Sequence, residues 1–282
     1  MASLKEIKNH IGSVKSTLKI TSAMKMVSSA KLHKAQQAIA NMRLYSEALS
    51  AILAGVGPVR LRRESAGEID EPRRVALVVV ASNSSLCGGF NANVIREVRA
   101  RIASYRSDGF EIEVFAVGRK AAEAMRKDGY PSPMDLSALV GKTLFEDVSA
   151  FAQSLVDAYI NDRFEKVEII YNHFVSNSSQ KIMAEQYLPF ETATSETVCD
   201  DYILEPGREE LKEALVPKVL RLKMYTVILD SLAAEHAART VAMQTATDNG
   251  EEILRQLTLE YNKSRQQKIT AEILDIVGGS MN

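Results

Sequence analysis

Only two cysteines, Cys87 and Cys199, occur in the 282 residues of this chain, and they stand far apart. They offer neither a disulfide framework nor the paired spacing of a zinc site, which suits a reducing compartment. No apolar run approaches transmembrane length, and the N-terminus lacks the continuous apolar core of a secretion signal. Membrane association is therefore expected only through partners. Net charge is −1, so no global field calls for nucleic acid. Between Gly12 and Gly55 there is neither proline nor glycine, and nothing in that stretch breaks a helix.

What fills the two ends is helical periodicity. Leu4, Ile7, Ile11, Val14 and Leu18 alternate steps of three and four, the spacing of a coiled-coil seam. Ala35, Ala38, Met42, Tyr45, Leu49, Ile52 and Val56 resume the rhythm, with a predicted slip of phase near Lys31. A helix over residues 1–57 would span about 85 Å, far more than an ordinary globular domain needs. Near the other end, Val219, Leu222, Thr226, Leu229, Ala233, Ala237 and Val241 step around one face. Ile253, Leu257, Tyr261, Ile269, Ile273 and Ile276 continue that face beyond Gly250, and Gly278 with Gly279 reads as a stop. Pro217 is expected to mark a kink or a fresh start. Two long terminal helices of this kind can pair into an antiparallel rod, which suits reaching or transmitting force better than enclosing a substrate.

The first helix is strongly basic. Eight side chains, Lys5, Lys8, Lys15, Lys19, Lys25, Lys31, Lys34 and Arg43, face only Glu6 and Glu47, leaving +6 over residues 1–57. A solvated face, an acidic protein partner and nucleic acid are all compatible with that charge. No aromatic stacking platform accompanies the lysines, which weakens the nucleic-acid reading.

Between the helices the pattern changes. Gly55, Gly57 and Pro58 close the first helix, and a charged connector runs from Arg60 to Arg73. Residues 74–81 read as a strand buried on both faces, as in parallel sheets. Strands are also expected over 111–117, 167–171 and 181–188, the last in antiparallel style, with helices over 91–105, 119–127 and 146–160. Residues 191–213 are acidic. This alternation predicts a fold of class α/β: a long antiparallel coiled coil, residues 1–57 and 208–282, with a Rossmann-like domain, residues 58–207, inserted between its helices.

That domain shows none of the usual catalytic sets. Val140-Gly141-Lys142-Thr143 resembles the end of a phosphate loop, but Leu136 occupies the place of its first glycine. Leu86-Cys87-Gly88-Gly89 sits where a dinucleotide fingerprint would, without the spaced third glycine. Cys87 has no histidine beside it and reads as a buried structural thiol. His10, His33, His173 and His236 lack metal-ligand spacing. The residues assign no catalytic group, cofactor or metal, and fold alone confers no activity.

Four blocks do carry a resemblance. Residues Ile20-Thr21-Ser22-Ala23-Met24-Lys25-Met26-Val27-Ser28-Ser29-Ala30-Lys31 closely resemble the N-terminal signature of the gamma subunit of rotary ATP synthase. Ala242-Met243 through Ala246-Thr247-Asp248-Asn249 is similar to a second block of that family. Leu257-Thr258-Leu259, Tyr261-Asn262-Lys263-Ser264-Arg265-Gln266, Ile269-Thr270 and Glu272-Ile273 match its closing block, and Leu86-Cys87-Gly88-Gly89-Phe90-Asn91 its central motif. The blocks fall in family order along the whole chain. One departure is visible, since Asn83-Ser84-Ser85 stands where the family commonly carries an Asp-Arg-Gly-like sequence. The cysteine-bearing insert of chloroplast members is missing, so thiol control of that type is not expected.

The resemblance implies a bacterial-type, non-catalytic central shaft. Its paired helices would turn inside three alpha and three beta subunits, and its globular part would meet the epsilon subunit and the ring of c subunits. Ion flow through that ring would drive ATP synthesis at beta, with the chain peripheral at the cytoplasmic face of the inner membrane. It further implies that Met24 and Lys25 meet the lower domains of alpha and beta, and that Arg239, Arg265, Gln266, Thr270 and Glu272 contact beta loops. Two competitors are a coiled-coil adaptor with an α/β head and a nucleotide-binding module using the insert. Neither explains four ordered blocks.

Overall fold

The computed structural model describes residues 3–57, 61, 73–141, 143–190, 205 and 207–279. Most of the charged connector, most of the acidic stretch after residue 190, and Cys199 lie outside the described residues. In chain order the elements are α1 (Leu4–Val56), β1 (Arg74–Val80), α2 (Phe90–Ser107), β2 (Glu111–Val117), α3 (Arg119–Lys127), α4 (Ala138–Gly141), α5 (Phe145–Ile160), β3 (Lys166–Phe174), β4 (Gln180–Leu188) and α6 (Arg208–Gly279). Contacts group them into two compact units, residues 29–238 and residues 1–28 with 239–282.

In the larger unit the strands form one sheet of order β2-β1-β3-β4. β1 pairs in parallel with β2 and β3, and β4 closes the edge antiparallel to β3. The apolar run predicted for β1 is sealed on both faces, with Val75 to Val79 fully buried. Its alternation divides the core. Val75, Leu77 and Val79 pack with Val94, Val98 and Ile102 of α2 and Met125 of α3. Ala76, Val78 and Val80 face Phe151, Leu155 and Tyr159 of α5, together with Leu220, Met224 and Ile228 of α6 and Leu53 of α1.

Hydrogen bonds pin the sheet to α6. Asp230 accepts from the Phe174 N–H at 3.0 Å and lies 2.6 Å from His173 Nδ1. The buried Tyr187 hydroxyl donates to the Leu220 carbonyl at 2.9 Å. Burial raises the Tyr187 phenol well above its ordinary pKa, so it stays a donor.

The structure corrects three readings of the helices. Tyr45 and Ile52, expected in the α1 seam, are each 54% exposed. From Leu32 onward, positions 32, 35, 39, 42, 46, 49, 53 and 56, in alternating steps of three and four, are all buried or half-buried. Counting back in the same steps gives 28, 25, 21, 18, 14, 11, 7 and 4, all likewise covered, so no slip occurs near Lys31. The apparent slip arose because Thr21, Lys25 and Ser28 are polar seam positions. Pro217 makes no fresh start either, since α6 begins nine residues earlier and continues through it.

Candidate functional site

Apart from Ser29, Ala30 and Lys31, the family-signature residues fall into the smaller unit and into the turn after β1 with the start of α2. In the smaller unit, three contacts define the pairing of α1 with α6. Lys25 Nζ donates to Gln244 Oε1 at 2.7 Å, and Thr247 Oγ1 donates to Thr21 Oγ1 at 2.9 Å. Leu18 fills the space over Gly250, where a Cβ would stand 2.7 Å from its Cδ2. Glycine is therefore the hole for a leucine knob. Partner numbers fall as residue numbers rise, so the helices run antiparallel.

Extended in the same register, the pairing sets Leu4 near Ser264. Beyond Ser264, α1 has no residues left to pair with α6. Accordingly every described side chain from Arg265 to Val277 is exposed, including Ile269, Ile273, Leu274 and Ile276, the last at 72%. Three of these were expected in the seam. Their spacing is right for a seam, but the partner helix has ended.

The site residues proposed from the sequence occupy different settings. Arg265 and Gln266 lie in this exposed segment, and among the described residues neither side chain has a hydrogen-bond or ionic partner. Thr270 Oγ1 donates to the Gln266 carbonyl at 2.9 Å, one turn back. Glu272 stands 3.7 Å from Lys268 in an exposed pair that contributes little. Met24 is half-buried, and Lys25 is engaged with Gln244. Arg239 is only 7% exposed.

Ile20 and Val27 were missed, although they and Met26 are more exposed than Met24 or Lys25, Met26 reaching 66%. The signal was present. Once Thr21, Lys25 and Ser28 are placed in the seam, the helical period turns Ile20, Met26 and Val27 outward.

The turn after β1 is a polar clamp. Ser82 is fully buried; its N–H donates to Asn91 Oδ1 at 3.0 Å, and its hydroxyl to the Ser84 carbonyl at 2.6 Å. Asn91 Nδ2 reaches Ser82 Oγ at 2.8 Å and Cys87 Sγ at 3.2 Å. Asn83 uses both ends of its amide. Its oxygen accepts from the Arg119 N–H at the start of α3, at 3.0 Å, and its nitrogen donates to the Ser137 carbonyl at 2.8 Å. A carboxylate could perform only the first of these tasks. Gly118 completes the junction, because a Cβ there would lie 2.1 Å from the Ala81 carbonyl oxygen.

In open parallel sheets, ligands enter at the carboxyl ends of strands flanking the switch in strand order. Here that place lies between β1 and β3. Asn172 of β3 donates to the Phe90 carbonyl across it at 3.3 Å. Cys87 and Phe90 pack against Ala234 of α6, with Phe174 and Ala238 alongside. The chain's own side chains occupy the crevice. Within the Leu86-Cys87-Gly88-Gly89-Phe90 run, Cys87 and Phe90 thus serve as packing between sheet and helix.

A family model described as ATP synthase matches residues 3–281. The ATP synthase gamma chain of Phocaeicola vulgatus is 49% identical over the whole of both chains. That of Bacteroides fragilis is 47% identical, again over the full length of each. Among solved structures, a chain in the Euglena gracilis mitochondrial ATP synthase, OSCP/F1/c-ring in rotational state 3, matches with a TM-score of 0.65. It is 18% identical, over 99% of this chain and 93% of that one. A chain of the Tetrahymena thermophila mitochondrial ATP synthase central stalk and c-ring matches at TM-score 0.56 and 22% identity, over 80% and 99%. These two likenesses speak to the fold. With ordered signature blocks, matched full length and a matching family model, the chain belongs to the ATP synthase gamma-chain family.

Proposed function

We propose that the chain is the central rotating shaft of an ATP synthase catalytic sector. It couples ion flow through a c-ring to ATP synthesis at the beta subunits and supplies no catalytic group itself. Its partners in this reading are three alpha and three beta subunits around one copy, the epsilon subunit and the c-ring. It works in three parts: the N-terminal helix, residues 1–57, the inserted α/β domain, residues 58–207, and the C-terminal helix, residues 208–282. No helix among the described residues is long and apolar enough to cross a membrane. Attachment at the cytoplasmic face of a bacterial inner membrane is thus through the partners.

The observation that carries this reading is the C-terminal segment of α6. Isoleucines and a leucine stand in water there beside Arg265 and Gln266, whose side chains have no partner among the described residues. Burying such a side chain completely is worth about 1.5–3 kcal/mol, so the segment is built for a surface this chain does not contain. Arg265 and Gln266 can make and break hydrogen bonds with passing beta loops, and Thr270 and Glu272 line the same segment. Met24 and Lys25 form a second contact with the hexamer, to which Ile20, Met26 and Val27 add exposed apolar surface. Arg239, being buried, supports the helix at this contact more than it reaches outward.

The test is recovery of tagged chain from native membranes, with subunit stoichiometry by mass spectrometry. Three alpha and three beta subunits per copy, with nucleotide hydrolysis, are expected. Recovery of the chain alone, or with unrelated proteins, would return the adaptor reading to the front.

A further inference from the structure

Three contacts between α1 and α6 depend on where each helix stands along its axis, and they lie side by side. Leu18 fills the space that Gly250 leaves open. Thr21 is buried and donates its own proton to the Leu18 carbonyl at 3.1 Å, which leaves its oxygen to accept from Thr247 at 2.9 Å. The Met243 carbonyl, 2.8 Å away, shares that Thr247 proton. Beside them Lys25 donates to Gln244 Oε1, whose Nε2 donates in turn to Asp248 Oδ1 at 2.6 Å. Flanking parts of the seam use apolar side chains. Leu4, Ile7, Ile11 and Val14 cover it towards the start of α1, and in the larger unit Leu32 and Ala35 pack with Ala233 and Ala237. Apolar burial has no direction, so it resists separation of two helices better than it resists sliding.

We propose that Leu18 with Gly250 and Thr21 with Thr247, flanked by Lys25, Gln244 and Asp248, form a shear key that stops α1 and α6 sliding past one another under torque. This rests on the shaft reading above. Twisting two helices about a common axis drives one along the other, so a pair that carries torque needs contacts fixed in axial position. These are. A slide of one heptad, about 10 Å, sets Leu18 against Leu257 or Met243, according to direction, and neither is a hole. Thr21 then meets Leu254 or Thr240, so at most one of the two contacts survives in either direction. Fixing register, at some cost in stability, is the best-attested use of polar groups in a helix seam.

The experiment reads the angular fluctuation of a bead on the c-ring of the reconstituted complex, stalled with a non-hydrolysable nucleotide, beside the thermal midpoint of the purified chain. Thr21→Val with Thr247→Val keeps shape and apolar burial. Replacing both partners of a buried hydrogen bond by apolar groups of the same shape is nearly neutral, so the midpoint should stay parental. The angular variance should nevertheless rise by about half as the seam softens. Thr21→Ser with Thr247→Ser retains both hydroxyls and should return the parental variance. Thr21→Cys with Thr247→Cys tests the key within one folded protein, with the parent complex treated alike. Cross-linked with diamide, it should hold the variance at or below the parental value. Reduced with dithiothreitol, it should match the valine pair, because thiols bond only weakly. Parental variance in the valine pair, or equal variance in the two redox states of the cysteine pair, would overturn the inference and leave the shaft reading intact. So would a variance that follows the thermal midpoint across the variants. Failure of the parent chain to assemble with alpha and beta would instead remove the shaft reading itself.

Discussion

Residues 29–238 bury their apolar groups against one another, whereas residues 1–28 and 239–282 leave many of theirs in water. In the larger unit β1 is covered on both faces, and cores lie above and below the sheet. The smaller unit has a narrow seam, much of it half-covered, and a segment from Arg265 to Val277 whose side chains are all exposed. The first pattern is that of a fold which completes itself. The second is that of a surface completed by another molecule, since large exposed apolar groups on one helix face mark interaction sites. Polarity within the seam points the same way. Thr21 and Lys25 meet Thr247 and Gln244 through hydrogen bonds, which hold the helices together without extensive apolar burial.

The difference can be tested by substitution on each side of it. Leu77→Ala, in the fully buried centre of β1, should cost about 2–5 kcal/mol in urea unfolding of the purified chain. Ile273→Ser with Ile276→Ser removes as much apolar character, yet should change that stability by no more than about 0.5 kcal/mol. The same pair should weaken assembly with alpha and beta subunits about tenfold, measured by titration of the labelled chain. A large stability loss from the serine pair would mean that the segment after Ser264 packs within its own chain.

The contrast also explains what could be read in the sequence. The sheet was legible because 75–80 is an unbroken apolar run, while 111–117 alternates glutamate with apolar residues before closing on Val114-Phe115-Ala116-Val117, each the length of a strand. Helix α4 escaped notice because four residues carry no period. The α1 seam was misread at Thr21, Lys25 and Ser28 because a pattern search tracks apolar residues, while a helix pair can bury polar ones that bond across it. Ile269, Ile273 and Ile276 were misassigned for the opposite reason: their spacing is periodic, but where the partner helix ends is a property of the pair. Asn83 stood out as a family departure, yet its bonds reach Arg119 and Ser137, 36 and 54 residues away. Separations of that size leave no local signal.

Asn83 gives the next prediction, intermediate in size and confined to the self-completed unit. In Asn83→Asp the donor to the Ser137 carbonyl is lost and a carboxylate oxygen faces that carbonyl. The expected cost is about 1–3 kcal/mol near neutral pH, with no change in the pairing of Thr21 and Thr247. The protonated acid can again donate. The defect should therefore shrink as pH falls and grow as pH rises, a trend that urea midpoints at several pH values would reveal. Asn83→Ala should show no such trend, and parallel pH profiles for the two variants would mean that this hydrogen bond contributes nothing.

The smallest effect belongs to the other backbone group of the same residue, the Ser137 N–H. Asp135 Oδ1 accepts from the Ser137 N–H at 2.9 Å, and this backbone bond, followed by one from the Ser137 hydroxyl, holds the carboxyl below its ordinary pKa. A depressed folded value means that the unfolded chain binds the proton first as pH falls. The stabilisation is present above the ordinary aspartate range and is lost as pH drops through the folded value. Asp135→Asn should therefore flatten the acid limb of the stability profile and leave the neutral region nearly unchanged, because the side chain is exposed and an amide oxygen can still accept. Titration of the Asp135 carboxyl by NMR checks the premise directly. A value at or above that of a free aspartate would show that Asp135 does not hold the Ser137 N–H, and the anchoring of Ser137 to the turn after β1 would then rest on the Asn83 bond to its carbonyl.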